Sequence, residues 1–340
     1  MTKKNSIVFV LMLVLGVIIF WWSFRDVSWE QFAHSMGNAN WGWLALAVLA
    51  MIIYLVLEAV VVKIFVDDIH EKISWRDALR VPLVEQLGNG ITPFAAGGQP
   101  MQMVALAQSG IDVGRAGSIL TMKFIIYQGM IVVNFLIALV IGYQYLTETI
   151  HSWTVVLFLG FLVHLFVIIA LLMVMYWPKA TDWLVQTFTK VVRPISEKKA
   201  NQWQNVLEEK VANFHQESDM MRKNYMPVLK AMAVTFVQLM AFYLIPYFIL
   251  LGLGAHHVDL LLVMALNVLI VMVISLFPIP GGAGGAEIGF SVLFAQFLPS
   301  HAQLVIAMIL WRLITYYFGM FAGIFAFNIP TTSKQLQKSK

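Results

Sequence analysis

Two ionisable residues stand where hydrocarbon is expected, Glu287 and Arg312. Glu287 ends the run Pro278-Ile279-Pro280-Gly281-Gly282-Ala283-Gly284-Gly285-Ala286-Glu287, and Arg312 sits in the outer half of the apolar stretch 304–327. A carboxylate at membrane depth can bind a cationic headgroup or exchange a proton as transport proceeds. A guanidinium keeps its charge, and its planar fork matches a phosphate. Each residue also has a plainer role. Glu287 is placed to compensate the positive end of a half-helix beginning at Ile288. Arg312 is placed to pair with Glu287, and the roles can coexist.

The run before Glu287 cannot continue a helix. Pro278 and Pro280 remove backbone donors, and Gly281, Gly282, Gly284 and Gly285 admit angles that other residues avoid. Broken backbone is tolerated at membrane depth only where protein buries it or a wet cavity touches it. Exposed amides at such a break can hold an anion. Small residues also let membrane helices approach closely. That role needs glycine at helical spacing, which a Pro-x-Pro followed by Gly-Gly does not give. An earlier segment, 81–108, is interrupted in the same way by Asn89, Thr92, Pro93, Gly97, Gly98, Gln99 and Pro100. Asn89, Thr92, Gln99 and Gln102 suit either the wall of a cavity or the capping of broken helices.

Other polar residues carry less. Glu58 and Lys123 form a candidate intramembrane pair near the inner third of their spans, read as structural, with Lys123 also able to snorkel. Glu85 is expected at the cytoplasmic mouth or the interface. His164 stands alone among apolar neighbours and reads as a satisfied helix residue. His256 and His257 lie in an outer turn with nothing to complete a metal site. The chain has no cysteine, which excludes disulfides and thiolate chemistry. No Ser/His/Asp arrangement, phosphate-binding loop or zinc motif is present, so neither a catalytic residue nor a cofactor nor a metal is expected.

These residues must be held by membrane helices. Of 340 residues 60% are hydrophobic and 12% charged, with mean hydropathy +0.80. Soluble domains carry about 25% charge. The net charge of +4 reflects Lys and Arg concentrated in particular loops, the positive-inside pattern, and not a nucleic-acid partner. Full spans are expected over 7–24, 41–65, 117–143, 153–176, 227–253 and 304–327. The first reads as a retained span, not a cleaved leader. A short interfacial helix fits within 25–40. Lys72, Arg76 and Arg80 place 67–80 inside, and Lys3, Lys4, Lys334, Lys338 and Lys340 place both termini in the cytoplasm. Segment 177–225 reads as a cytoplasmic amphipathic linker, with Trp203, Leu207, Val211 and Phe214 at helical spacing.

Parity then makes 81–108 dip from the cytoplasm and 258–298 dip from outside. Two opposed broken elements, one in each half (1–150 and 226–330), are the pattern of an inverted repeat. The expected fold is all-α, a single polytopic membrane domain over 1–340. It has about six full spans, or eight counting the two re-entrant elements.

The run 278–287 resembles the signature of the flippase-like membrane domain of lysylphosphatidylglycerol synthases, the multiple peptide resistance factor type. Thr92-Pro93, Gly97-Gly98, Pro100 and Gly110 match that family's earlier motif, and Arg312 in Trp311-Arg312-Leu313-Ile314-Thr315-Tyr316-Tyr317 matches its last span. The resemblance covers nearly the whole chain. Longer members carry a soluble aminoacyltransferase domain, and no stretch of these 340 residues resembles it. The resemblance therefore implies a non-enzymatic, lipid-translocating membrane part in the cell membrane. Its cargo would be an aminoacylated phosphatidylglycerol or a related anionic or polyprenyl carrier lipid. Alternatives are the membrane component of a lysyltransferase system and a secondary transporter of a small solute. Membrane lipids are the expected partners, together with a separate lipid-modifying synthase or glycosyltransferase, or a second copy of the chain. Without an ATP-binding motif, transport is driven by a gradient or runs downhill.

Overall fold

A computed structural model describes residues 28–68, 71–143, 154–177 and 223–332, with scattered positions between 145 and 219. The expected first span, 7–24, and most of the expected linker, 177–225, lie outside the described residues. Among those described there are helices and turns and no strand.

Helix α1 (Trp29–Gly37) is short and has no buried residue, as suits an interfacial element. Its start is fixed by a capping box between Ser28 and Gln31, which satisfies two free backbone donors. Five helical stretches are long and apolar enough to cross a membrane. They are α2 (Trp41–Asp68), α5 (Val113–Ile141), α6 (Thr154–Tyr176), the pair α7 (Tyr225–Tyr243) and α8 (Ile245–Gly252), and the composite His301–Asn328. At 28 residues, α2 runs about 42 Å, more than the ~30 Å hydrocarbon core.

Two of these stretches are not the uninterrupted spans the hydropathy suggests. The chain steps at Leu244 between α7 and α8, where Pro246 lies in the first turn of α8, the position that tolerates a missing N–H. The last stretch divides into α11 (His301–Arg312), a π-helical turn (Leu313–Tyr317) and α12 (Phe318–Asn328).

The two interrupted segments are helix–break–helix units. The first is α3 (Trp75–Ile91), a 3-10 turn (Pro93–Ala95) and α4 (Gly98–Gln108). The second is α9 (Leu260–Ile274), a 3-10 turn (Pro280–Gly282) and α10 (Gly285–Phe294). Neither half-helix of the second unit is long enough to span.

One boundary differs from the sequence reading. Residues 75–80, read as inner loop, are the first turns of α3, and Asp77 and Arg80 are buried. The physical reason lies at the end of the last helix. Arg80 Nε donates to the Ala326 carbonyl at 3.0 Å and Nη2 to that of Phe327 at 3.4 Å. A cation there satisfies end carbonyls and opposes the helix dipole. Ser74 and Asp77 meet Thr332, and Thr331 donates to the Gln108 carbonyl at 3.0 Å. The two ends of the first broken unit are thus tied to the end of α12.

Helix α9 is the core, with α5, α6 and α10 packed around it. Helix α6 is peripheral: only 17% of its most apolar stretch is buried. Its inward residues Leu157, Gly160 and His164 follow one helical stripe. Backbones approach closely at two crossings. A Cβ on Gly160 would strike the Met272 carbonyl of α9, and one on Gly323 would strike the Leu83 carbonyl of α3. Gly129 has open space instead. Gly323→Ala should therefore lower stability by about 1–3 kcal/mol, the usual cost of overpacking. Gly129→Ala should leave it unchanged or slightly raised. Thermal melting of the two purified variants checks this, and equal melting temperatures would refute the close crossing.

Candidate functional site

The two breaks are built to one plan. Pro93 and Pro280 each open a 3-10 turn, and the next two residues are left-handed. These are Phe94 and Ala95 at φ 54°, and Gly281 and Gly282 at φ 65° and 62°. An alanine and a glycine follow in both, and the second half-helix begins at Gly98 or Gly285. For glycine the left-handed region costs little. For Phe94 and Ala95 it costs about 1–2 kcal/mol each. The two turns touch each other, so both breaks belong to one place in the molecule.

The first break is held by Thr92. Its Oγ1 donates to the Gly88 carbonyl at 2.7 Å and accepts the Gly97 N–H at 2.7 Å. The second is held by Glu287 and Arg312. Glu287 Oε2 accepts the Gly284 N–H at 2.6 Å, closing a cap at the start of α10. Its Oε1 accepts from Arg312 Nε at 2.8 Å and lies 2.8 Å from Nη2 in an ion pair. Arg312 Nη1 donates to the Gly281 carbonyl at 2.8 Å. The guanidinium also lies over Tyr316 and Trp311, 5.3 and 5.7 Å from the ring centroids. Two of the five N–H donors of a guanidinium, on Nε and Nη1, make these hydrogen bonds, while Nη2 is held beside Glu287 by the ion pair.

Tyr316 joins the breaks. Its hydroxyl donates to the Gly90 carbonyl at 2.7 Å, and its ring fills the space a Cβ on Gly281 would need. The π-helical turn that carries Tyr316 directly follows Arg312. Such turns re-aim side chains and recur at functional sites.

A second charged cluster centres on Lys123. Its ammonium donates to Glu58 Oε1, to Glu85 Oε2 at 2.7 Å and to Gln102 Oε1 at 2.7 Å. The side chains of Lys123, Glu58 and Glu85 are only 6, 4 and 14% exposed. The pairing of Glu58 with Lys123 is as read from the sequence. The placing of Glu85 at a mouth or interface is corrected: it shares the same buried ammonium. With α3 beginning at Trp75, Glu85 lies about three turns into the helix, well past its entry.

Both clusters face one cavity of about 500 Å³, a size usual for small-molecule sites. Glu58, Glu85 and Lys123 line one part of its wall, and Arg312, Gly281 and Gly282 another. Asn89 and Gln99 also line it. The remaining candidates stand behind the wall. Thr92, Pro93, Gly97, Gly98 and Pro100 build the first break, Pro278, Pro280, Gly284 and Gly285 build the second, and Glu287 braces Arg312. The wall also holds polar residues not singled out from the sequence, among them Tyr54, Gln86, Tyr127, Gln128 and Tyr316. His164 is also corrected. It is buried on the cavity wall, and neither ring nitrogen has a partner among the described residues.

The comparisons with known proteins agree with this architecture. Residues 9–323 match the model of the lysylphosphatidylglycerol synthase TM region. A UPF0104 membrane protein of Archaeoglobus fulgidus is 27% identical over 333 residues, covering 96% of this chain and 97% of that protein. With the match running through both breaks, Lys123 and Arg312, this chain belongs to the lysylphosphatidylglycerol synthase transmembrane region family.

Proposed function

We propose that this protein moves an amphiphilic lipid between the leaflets of the cell membrane. The observation that carries the reading is that both helix breaks and both charged clusters converge on one cavity. A headgroup cannot cross hydrocarbon without losing its hydration, because charge at the bilayer centre is costly. Here Arg312 offers its remaining N–H donors to a phosphate oxygen while Glu287 holds the guanidinium in place. Exposed peptide groups at the breaks replace further hydration. The tails stay in lipid. An aminoacylated phosphatidylglycerol or a related anionic or polyprenyl carrier lipid fits this chemistry.

In this reading α3–α4 and α9–α10 are re-entrant units entering from opposite faces, as in an inverted repeat, and one half rocks against the other about the cavity. The common plan of the two breaks supports it. The family description favours one alternative, a membrane component serving a separate synthase. A leaflet assay separates the two, since synthesis without translocation leaves the label on its original side.

The purified protein in liposomes should move labelled phosphatidylglycerol, lysylphosphatidylglycerol or a polyprenyl phosphate between leaflets. Failure with all three would sink the reading. Arg312→Ala and Glu287→Gln should slow movement by about tenfold or more, the effect of losing one charge-assisted hydrogen bond. Melting curves establish that both variants are folded, and wild-type rates in both would remove the site assignment.

The orientation is tested separately, using the absence of native cysteine. Lys72→Cys and Val113→Cys should react with an impermeant maleimide only from the cytoplasmic face. His256→Cys and His301→Cys should react only from the outer face. Labelling of either pair from two different faces would refute the re-entrant arrangement.

A further inference from the structure

The Lys123 cluster is not neutral. Two carboxylates, Glu58 and Glu85, face one ammonium, which leaves a formal charge of −1 within the protein. An ammonium has three donors, and Glu58, Glu85 and Gln102 take all three. Glu58 Oε2 is buried and finds no donor among the described residues. A buried carboxylate oxygen without a hydrogen bond, in a cluster one cation short, is costly.

The surrounding groups do not repair the imbalance. Facing Glu58 are Tyr54 on its own helix, Glu85 on α3, and Lys123 and Tyr127 on α5, with Tyr243 of α7 behind Tyr127. Helix α8 contains no charged residue. Arg312, across the cavity, is committed to Glu287. A metal ion has no place between the carboxylates, because the ammonium already bridges them.

A proton removes both difficulties at once. On a carboxyl oxygen it cancels the excess charge and turns an unpaired acceptor into a donor. A second observation points to the same cavity as a polar one: His164 is 5% exposed, lines it, and has two ring nitrogens without partners among the described residues.

We propose that Glu58, Glu85 and Lys123 form a proton-binding site that holds one proton between the two carboxylates. Release breaks the carboxyl O–H bond, restores the carboxylate, and delivers the proton to the cavity that Glu58, Glu85 and Lys123 line. Resting on the translocation reading above, this exchange is the coupling step that lets a proton gradient drive the lipid.

Infrared difference spectra of the purified protein in detergent, neutral against alkaline pH, test the site without any transport. The wild type should show the C=O stretch of a protonated buried carboxyl, shifted in D2O. Glu58→Gln and Glu85→Gln should each abolish it, because either change leaves one carboxylate balanced by Lys123. Glu287→Gln should retain it. A wild-type spectrum without the band, or a band that survives in both cluster variants, overturns the proposal. If one variant fails to fold, the other decides, and the wild-type band decides if neither folds.

Coupling is read in liposomes with labelled phosphatidylglycerol. An imposed pH gradient should change the wild-type rate several-fold, and Glu58→Gln should be indifferent to it. A response to a sodium gradient but not to pH overturns proton coupling. A band that behaves as expected without any lipid movement would keep the proton site and remove the translocation reading instead.

Discussion

Everything in this molecule depends on satisfying backbone polar groups at two places where a helix stops inside an apolar protein. Each stop frees amides and carbonyls from the helical ladder, and these need other partners. Side chains take them up: Thr92 at Gly88 and Gly97, Glu287 at Gly284, Arg312 at Gly281, and Tyr316 at Gly90. The charges near the cavity are therefore not ornaments on a finished scaffold. Glu287 and Arg312 hold the second break together and also present a cation to the cavity. Structure and chemistry share the same atoms.

The rest of the fold serves to keep these breaks in register. Arg80, Asp77 and Thr331 fasten the ends of α3 and α4 to the end of α12. Gly323 lets α12 lie against α3, and Gly160 lets α6 lie against α9. Packing of this kind is how helices associate where burial from water offers no driving force. The cavity between them is lined from both halves of the chain, so a relative shift of the halves changes its shape directly.

Much of this was legible in the sequence. Long apolar runs announce spans, and paired Pro/Gly interruptions announce breaks, because both follow from the bilayer's intolerance of unsatisfied backbone. The Glu287–Arg312 pair was legible for a similar reason, since few charges lie deep in that half. Glu85 was misplaced because Arg76 and Arg80 suggested an inner loop. Arg80 is instead drawn inward by the carbonyls ending α12, a partner 246 residues away in sequence. Tyr316 was hidden by its type, as tyrosine near a span end usually means an interfacial anchor. The π-helical turn has no composition of its own, so nothing announced it. His164 was read as ordinary because a cavity beside it is a tertiary fact.

The two breaks follow one path but are not mechanically equivalent. Gly281 and Gly282 can leave their conformation in either direction at little cost. Phe94 and Ala95 occupy theirs against their own Cβ atoms and gain by leaving it. One break is a slack joint and the other a cocked spring, held by Thr92 and by Tyr316 at its rim. Thus two breaks of one plan differ in what their backbone costs, and the difference comes from the side chains of Phe94 and Ala95.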